Sequence, residues 1–155
     1  MPLKLFPVSC VLFALAIAFC LSPAITTPAA PDDGKVSAHD RQALRDTSKF
    51  HEIHSTRELP RVVLDLFPAD HGGLAEPGAN WQATDVVTLG TNLPTKRLIW
   101  AVASPDQCIV HYESGGIAHM FHIRVISLKN GKVGTVTESD VRKPFASYKE
   151  YAGGL

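Results

Sequence analysis

Three short connections do most to constrain this chain. Ser104-Pro105-Asp106-Gln107, Ser114-Gly115-Gly116-Ile117 and Lys129-Asn130-Gly131-Lys132 divide its second half into four runs rich in β-branched and aromatic residues: 96–103, 107–113, 117–129 and 132–138. A parallel crossover needs about a dozen residues, so strands joined this closely must be antiparallel neighbours. Asn-Gly and Gly-Gly favour two-residue hairpin turns because both central positions tolerate positive φ. A β-meander follows, with 82–88 as a candidate fifth strand. Ahead of it, 39–49 has weak helical character. Pro60 opens a better helix, with Leu59, Val63, Leu66 and Phe67 at helical spacing and Pro68 ending the run. Gly and Pro make 68–80 a long loop. Ser139-Asp140 is a candidate cap for a last short helix carrying Phe145 and Tyr148. The expected fold class is α+β: an antiparallel meander of four to five strands, with one or two short helices packed on one face.

The amino-terminal region has a different character. Met1-Pro2-Leu3-Lys4 carries one positive charge, and residues 11–21 are unbroken in apolar character. A helix of that length rises only ~16 Å, about half a hydrocarbon core. Ser22-Pro23-Ala24 then supplies small residues, and the whole reads as a secretory signal. Lipid attachment at Cys20 is disfavoured by the bulky Phe19 before it. The expected organisation is a signal peptide over 1–24, with cleavage as late as 29, a Thr/Pro/Ala-rich tether over 25–38, one domain over 39–151, and a tail over 152–155. The expected location is periplasmic or secreted. With 15 basic and 15 acidic side chains, the balance gives no reason to expect nucleic acid or anionic lipid as a partner. Cys10 and Cys20 leave with the signal. Cys108 then has no internal partner and reads as a buried strand thiol.

Two-residue loops would set the strand register. They would pair Trp100 with His111, Tyr112 with His119, His111 with Met120, and Ile126 with Thr135. Ile99, Ala101, Ala103, Cys108, Val110, Tyr112, His119, Phe121, Ile123 and Val125 would then form an apolar core face. The opposite face would gather Trp100, His111, Glu113, Met120, His122 and Arg124, with His111 and His122 as diagonal neighbours.

That second face is the candidate site. Its aromatic, Met and Arg side chains suit an interface, and its imidazoles would make binding pH-sensitive near ~6.5. The expected function is a non-catalytic binding module. Its partner would be another protein, a second copy of the chain, or a small apolar ligand, and no cofactor is expected. The alternative is a metal-binding protein or small enzyme using His111, His122 and Glu113, since imidazole and carboxylate suit zinc. In a third reading the amino-terminal segment simply covers that face.

Other motifs carry less. His51-Glu52-Ile53-His54 falls one residue short of the zinc-protease helix motif, which sets its histidines four apart. Glu113-Ser114-Gly115-Gly116 resembles the Asp-Ser-Gly-Gly segment around the nucleophile of trypsin-like proteases, but over four residues only and with Glu in place of Asp. The chain is also too short for the two β-barrels of that family, so Ser114 reads as a hairpin corner. Asp65, Asp70, His71 and Asp85 read as solvated surface.

Overall fold

A computed structural model describes residues 38–68, 72–84 and 93–155. The expected signal peptide and most of the tether lie outside the described residues, as do 85–88 of the candidate fifth strand. Gln82–Thr84 are not in a strand. Among the described residues, no helix is long and apolar enough to cross a membrane.

Among the described residues, six strands form one sheet. They are β1 (His51–Ile53), β2 (Leu74–Ala75), β3 (Lys96–Ala103), β4 (Gln107–Ser114), β5 (Met120–Lys129) and β6 (Lys132–Val141), in spatial order β1-β3-β4-β5-β6. All pairings are antiparallel except that of β2, which adds to β3 in parallel. Among the described residues, three short α-helices accompany the sheet: α1 (Ala38–Arg45), α2 (Arg61–Leu64) and α3 (Tyr148–Gly153). The meander and its antiparallel order are therefore as the turns dictate.

The Asn-Gly corner behaves as its residues require. Asn130 (φ 52°) and Gly131 (φ 69°) both adopt left-handed backbone, and Lys129 pairs with Lys132 across them. The register then shifts between Ile126 and Leu128, where Gly134-Thr135 form a bulge opposite Ser127. The Ser127 hydroxyl accepts from the Thr135 N–H at 2.6 Å. Ile126 consequently pairs with Val136, not with the expected Thr135. The β3–β4 connection keeps its expected register, Trp100 opposite His111 and Ala101 opposite Val110, until a bulge at Ile99 turns Leu98 to the Tyr112 side.

The Gly-Gly connection departs most. Its loop runs over five residues, 115–119, so Ser114 pairs with Met120, Tyr112 with His122 and His111 with Ile123. This is three residues away from the two-residue register, an odd shift, and it exchanges the faces of β5. The cause is local. A Cβ on Gly115 would sit 2.1 Å from the Gln82 carbonyl oxygen, and the Gly115 N–H donates to Thr95 O at 2.9 Å. Gly115 thus serves the close approach of the 82–83 segment rather than a two-residue turn.

The helices pack on both faces, not one. Leu59, Val63 and Phe67, on and around α2, cover Ala101, Ala103, Cys108, Val110, Tyr112 and Ile126. Leu44 of α1 and Tyr148, Tyr151 and Ala152 of α3 cover Trp100, Val102, Ile109, Ile123 and Val125. Phe121, Ile123 and Val125 therefore lie opposite the face expected for them. Ser139 and Asp140 belong to β6 rather than to the start of a helix. The cap of α3 is Ser147, whose hydroxyl accepts from the Glu150 N–H. The chain's end packs as well: Ala152 is buried, and Leu155 lies against the α3 cluster. Cys108 is fully buried, and burial pushes its thiol pKa up to about 12.

Candidate functional site

The expected six-residue patch does not exist as one surface. Trp100, His111 and Glu113 face the α1–α3 side of the sheet, whereas Met120, His122 and Arg124 face the α2 side. The odd shift at the β4–β5 loop separates them.

The Trp100 half is closed. Trp100 is buried, tilted against His111 (5.1 Å between centroids), Tyr148 (6.0 Å) and Tyr151 (6.3 Å), and its Nε1–H donates to Phe145 O at 2.9 Å. The remaining cleft beside it, between Glu52, His54 and Ser147, holds about 140 Å³. That falls short of the ~300–1,000 Å³ of a typical small-molecule pocket. Covering this face is largely the work of the carboxy-terminal helix rather than of residues 39–67, which contribute Leu44 and the flanking Phe50.

His111 is fully buried with both ring nitrogens engaged. Its Nε2 accepts from the Phe145 N–H at 3.1 Å, so the proton must sit on Nδ1, which donates to His122 O at 2.8 Å. Burial drives its pKa below the ordinary histidine value, outweighing the opposing effects of the His122 carbonyl and the Glu113 charge. No lone pair remains for a metal, and His122 lies across the sheet. The structure therefore does not bring His111, His122 and Glu113 together, and no group of three His, Cys, Asp or Glu is arranged for a metal among the described residues. Glu113 is committed elsewhere: its two oxygens take Arg97 Nε and His119 Nε2, each at 2.6 Å. His119 is not in the core; it sits in the 115–119 loop, edge-on to Trp81 at 5.3 Å.

On the α2 side, Arg124 is a strut. Its guanidinium reaches Glu138, Leu66 O (3.2 Å) and Tyr112 Oη (3.2 Å), and lies 4.6 Å over the Phe67 ring. The Tyr112 hydroxyl donates to Glu138 at 2.8 Å, closing the set.

Beyond that strut, toward the loop, lies a polar row that residue types alone do not bring together. Tyr112 stacks on the His122 ring (4.8 Å, 23°). His122 Nδ1 is 2.8 Å from Asp140 Oδ1, and its Nε2 is 2.7 Å from Ser114 Oγ. An ionised carboxylate only accepts, so Nδ1 carries the proton and Nε2 accepts from the Ser114 hydroxyl. Cross-strand pairing of His122 with Asp140, and of Ser114 with Met120, sets these positions. The exposed large apolar residues of the described structure are Met120 (39% exposed), the cross-strand partner of Ser114, and Ile117 (98%), in the 115–119 loop between the two. The Glu-Ser-Gly-Gly segment marked Ser114. The expected register concealed its partners.

The remaining motifs resolve simply. His51, Glu52 and Ile53 form a strand paired with β3, so no zinc-protease helix exists there. Asp65 pairs with Arg61 at 2.9 Å on the surface, while Asp70, His71 and Asp85 lie outside the described residues. No family model matches the chain, and neither a curated protein nor a solved structure matches it.

Proposed function

We propose that the protein is an exported binding module that takes a small apolar ligand at the β4–β5 corner. Export rests on the signal-like segment over residues 1–24. The observation that carries the binding reading is the placement of Ile117 and Met120. These exposed apolar side chains stand three residues apart, and Met120 is the cross-strand partner of Ser114. Isolated exposed apolar residues need no explanation, but Met120 opposite Ser114 sets an apolar contact beside the hydrogen-bonding row, with Ile117 exposed in the loop that joins them. The Trp100 side of the sheet offers neither, because α3 and Leu44 occupy it.

Titrating residues 25–155 with a fluorescent short-chain acyl probe tests this reading. Saturable binding should weaken at least tenfold when Ile117 and Met120 are both replaced by Ser. Equal binding by the wild type and the double variant would place any apolar site elsewhere and defeat the proposal.

A further inference from the structure

The Ser114–His122–Asp140 row has the connectivity that activates a serine. We propose that Ser114 is a nucleophile toward apolar carboxylic esters, with His122 as its base and Asp140 as the positioning residue. This rests on the binding reading above, since Met120, the cross-strand partner of Ser114, supplies the apolar contact for the ester's acyl part.

Three features support it. First, the correct nitrogens face the correct partners: Ser114 Oγ to Nε2 at 2.7 Å and Nδ1 to Asp140 at 2.8 Å, both within the range for nucleophile, base and orienting group. Second, the imidazole is held from more than one side. Tyr112 stacks on it at 4.8 Å, and Glu138 stands 3.9 Å from Nδ1. Third, Ser114 is the last residue of β4, only partly buried, and adjoins the 115–119 loop rather than the covered middle of the sheet. His111 provides the internal contrast. Its two nitrogens are consumed by backbone groups.

The chemistry balances with water as the only co-reactant. Ser114 Oγ bonds to the ester carbonyl carbon while its proton passes to His122 Nε2. The bond from that carbon to the alkoxy oxygen then breaks, and the Nε2 proton leaves with the alcohol. Water attacks the acyl-serine, gives its proton to Nε2, and releases a carboxylic acid as Ser114 recovers its proton. Asp140 remains ionised throughout, holding the Nδ1–H.

The same geometry favours esters over amides. The Gly115 N–H, the donor nearest in sequence to the nucleophile, is already taken by Thr95 O. Less help is therefore available for a developing oxyanion, and a good leaving group reduces that demand. Asp140 is also 62% exposed at its side chain, so solvent screens its charge and the expected rates are modest.

The test is incubation of residues 25–155 with p-nitrophenyl butyrate and, separately, with an alkyl fluorophosphonate, followed by intact mass and peptide mapping. The expected result is one adduct at Ser114 of the wild-type chain, absent in Ser114→Ala and in His122→Gln. Asp140→Asn should slow labelling 10- to 100-fold with acyl-probe binding unchanged, and Asp140→Glu should restore part of the rate. Wild-type chain that binds the acyl probe but takes no adduct at Ser114 would overturn this inference alone. Loss of probe binding itself would overturn the docking reading on which it rests. Mapping on the wild type keeps the test decisive even if a variant fails to fold.

Discussion

Each face of the sheet carries a histidine with both ring nitrogens engaged, and the two sites differ in what engages them. His111 is held by the Phe145 N–H and the His122 carbonyl, under a lid of Trp100, Phe145 and α3. His122 is held by the side chains of Ser114 and Asp140, toward the open end of the sheet. Backbone partners make a histidine part of the scaffold, since they cannot leave without unfolding a segment. Side-chain partners at a corner can exchange with a ligand. The same residue type thus staples one face and equips the other.

The largest expected effect falls on the stapled face. Trp100→Ala removes a buried indole and the donor to Phe145 O, and should cost about 3–5 kcal/mol. The free energy of unfolding in urea measures it, and a cost under about 1 kcal/mol would show that this face is not closed. Next comes the strut on the opposite face. Arg124→Ala leaves Glu138 without its guanidinium and Leu66 O without a donor, for a loss of about 2–3 kcal/mol in the same measurement. A near-neutral result there would mean that α2 is held by apolar packing alone.

The third prediction concerns pH. The folded-state pKa of His111 is depressed by burial, so below about 6.5 the unfolded chain takes up a proton that the folded chain refuses. The contribution is complete above that pH and is lost as pH falls toward the lower folded-state value. Urea unfolding across pH 7 to 5 should show stability declining with acid, and His111→Gln should flatten the slope in this interval. An unchanged slope would remove the distinction drawn between the two imidazoles. The smallest expected effect is at the corner itself. Ile117→Ser should change stability by no more than about 0.5 kcal/mol, because the side chain is 98% exposed, while weakening acyl-probe binding. A large loss of stability would make Ile117 structural and close the comparison against a docking role.

Much of the architecture was legible from the residues. The Asn130-Gly131 turn, the Trp100–His111 pairing, the buried Cys108 and the helix begun by Pro60 all follow from local chemistry. The candidate site was legible only in fragments: Met120, His122 and the Glu-Ser-Gly-Gly segment stood out, but in the wrong company. The alternation of β4 explains the failure. Cys108, Val110 and Tyr112 are apolar on one side, while Ile109 on the other lies beside His111 and Glu113, so either face of β5 can be set against it. With both faces covered, hydrophobic pattern does not select the register.

The sequence by itself determined that residues 96–141 form antiparallel neighbours, because connections this short permit nothing else. Only the tertiary structure decided which side chains meet across those strands. That choice depends on Gly115 being approached by the 82–83 segment and on bulges at Ile99 and Gly134-Thr135, contacts between residues distant in the chain or between strands. An odd shift in one loop moves every side chain of the following strand to the other face. It is why the side chains of Ser114, His122 and Asp140 meet, and why the imidazoles of His111 and His122 do not.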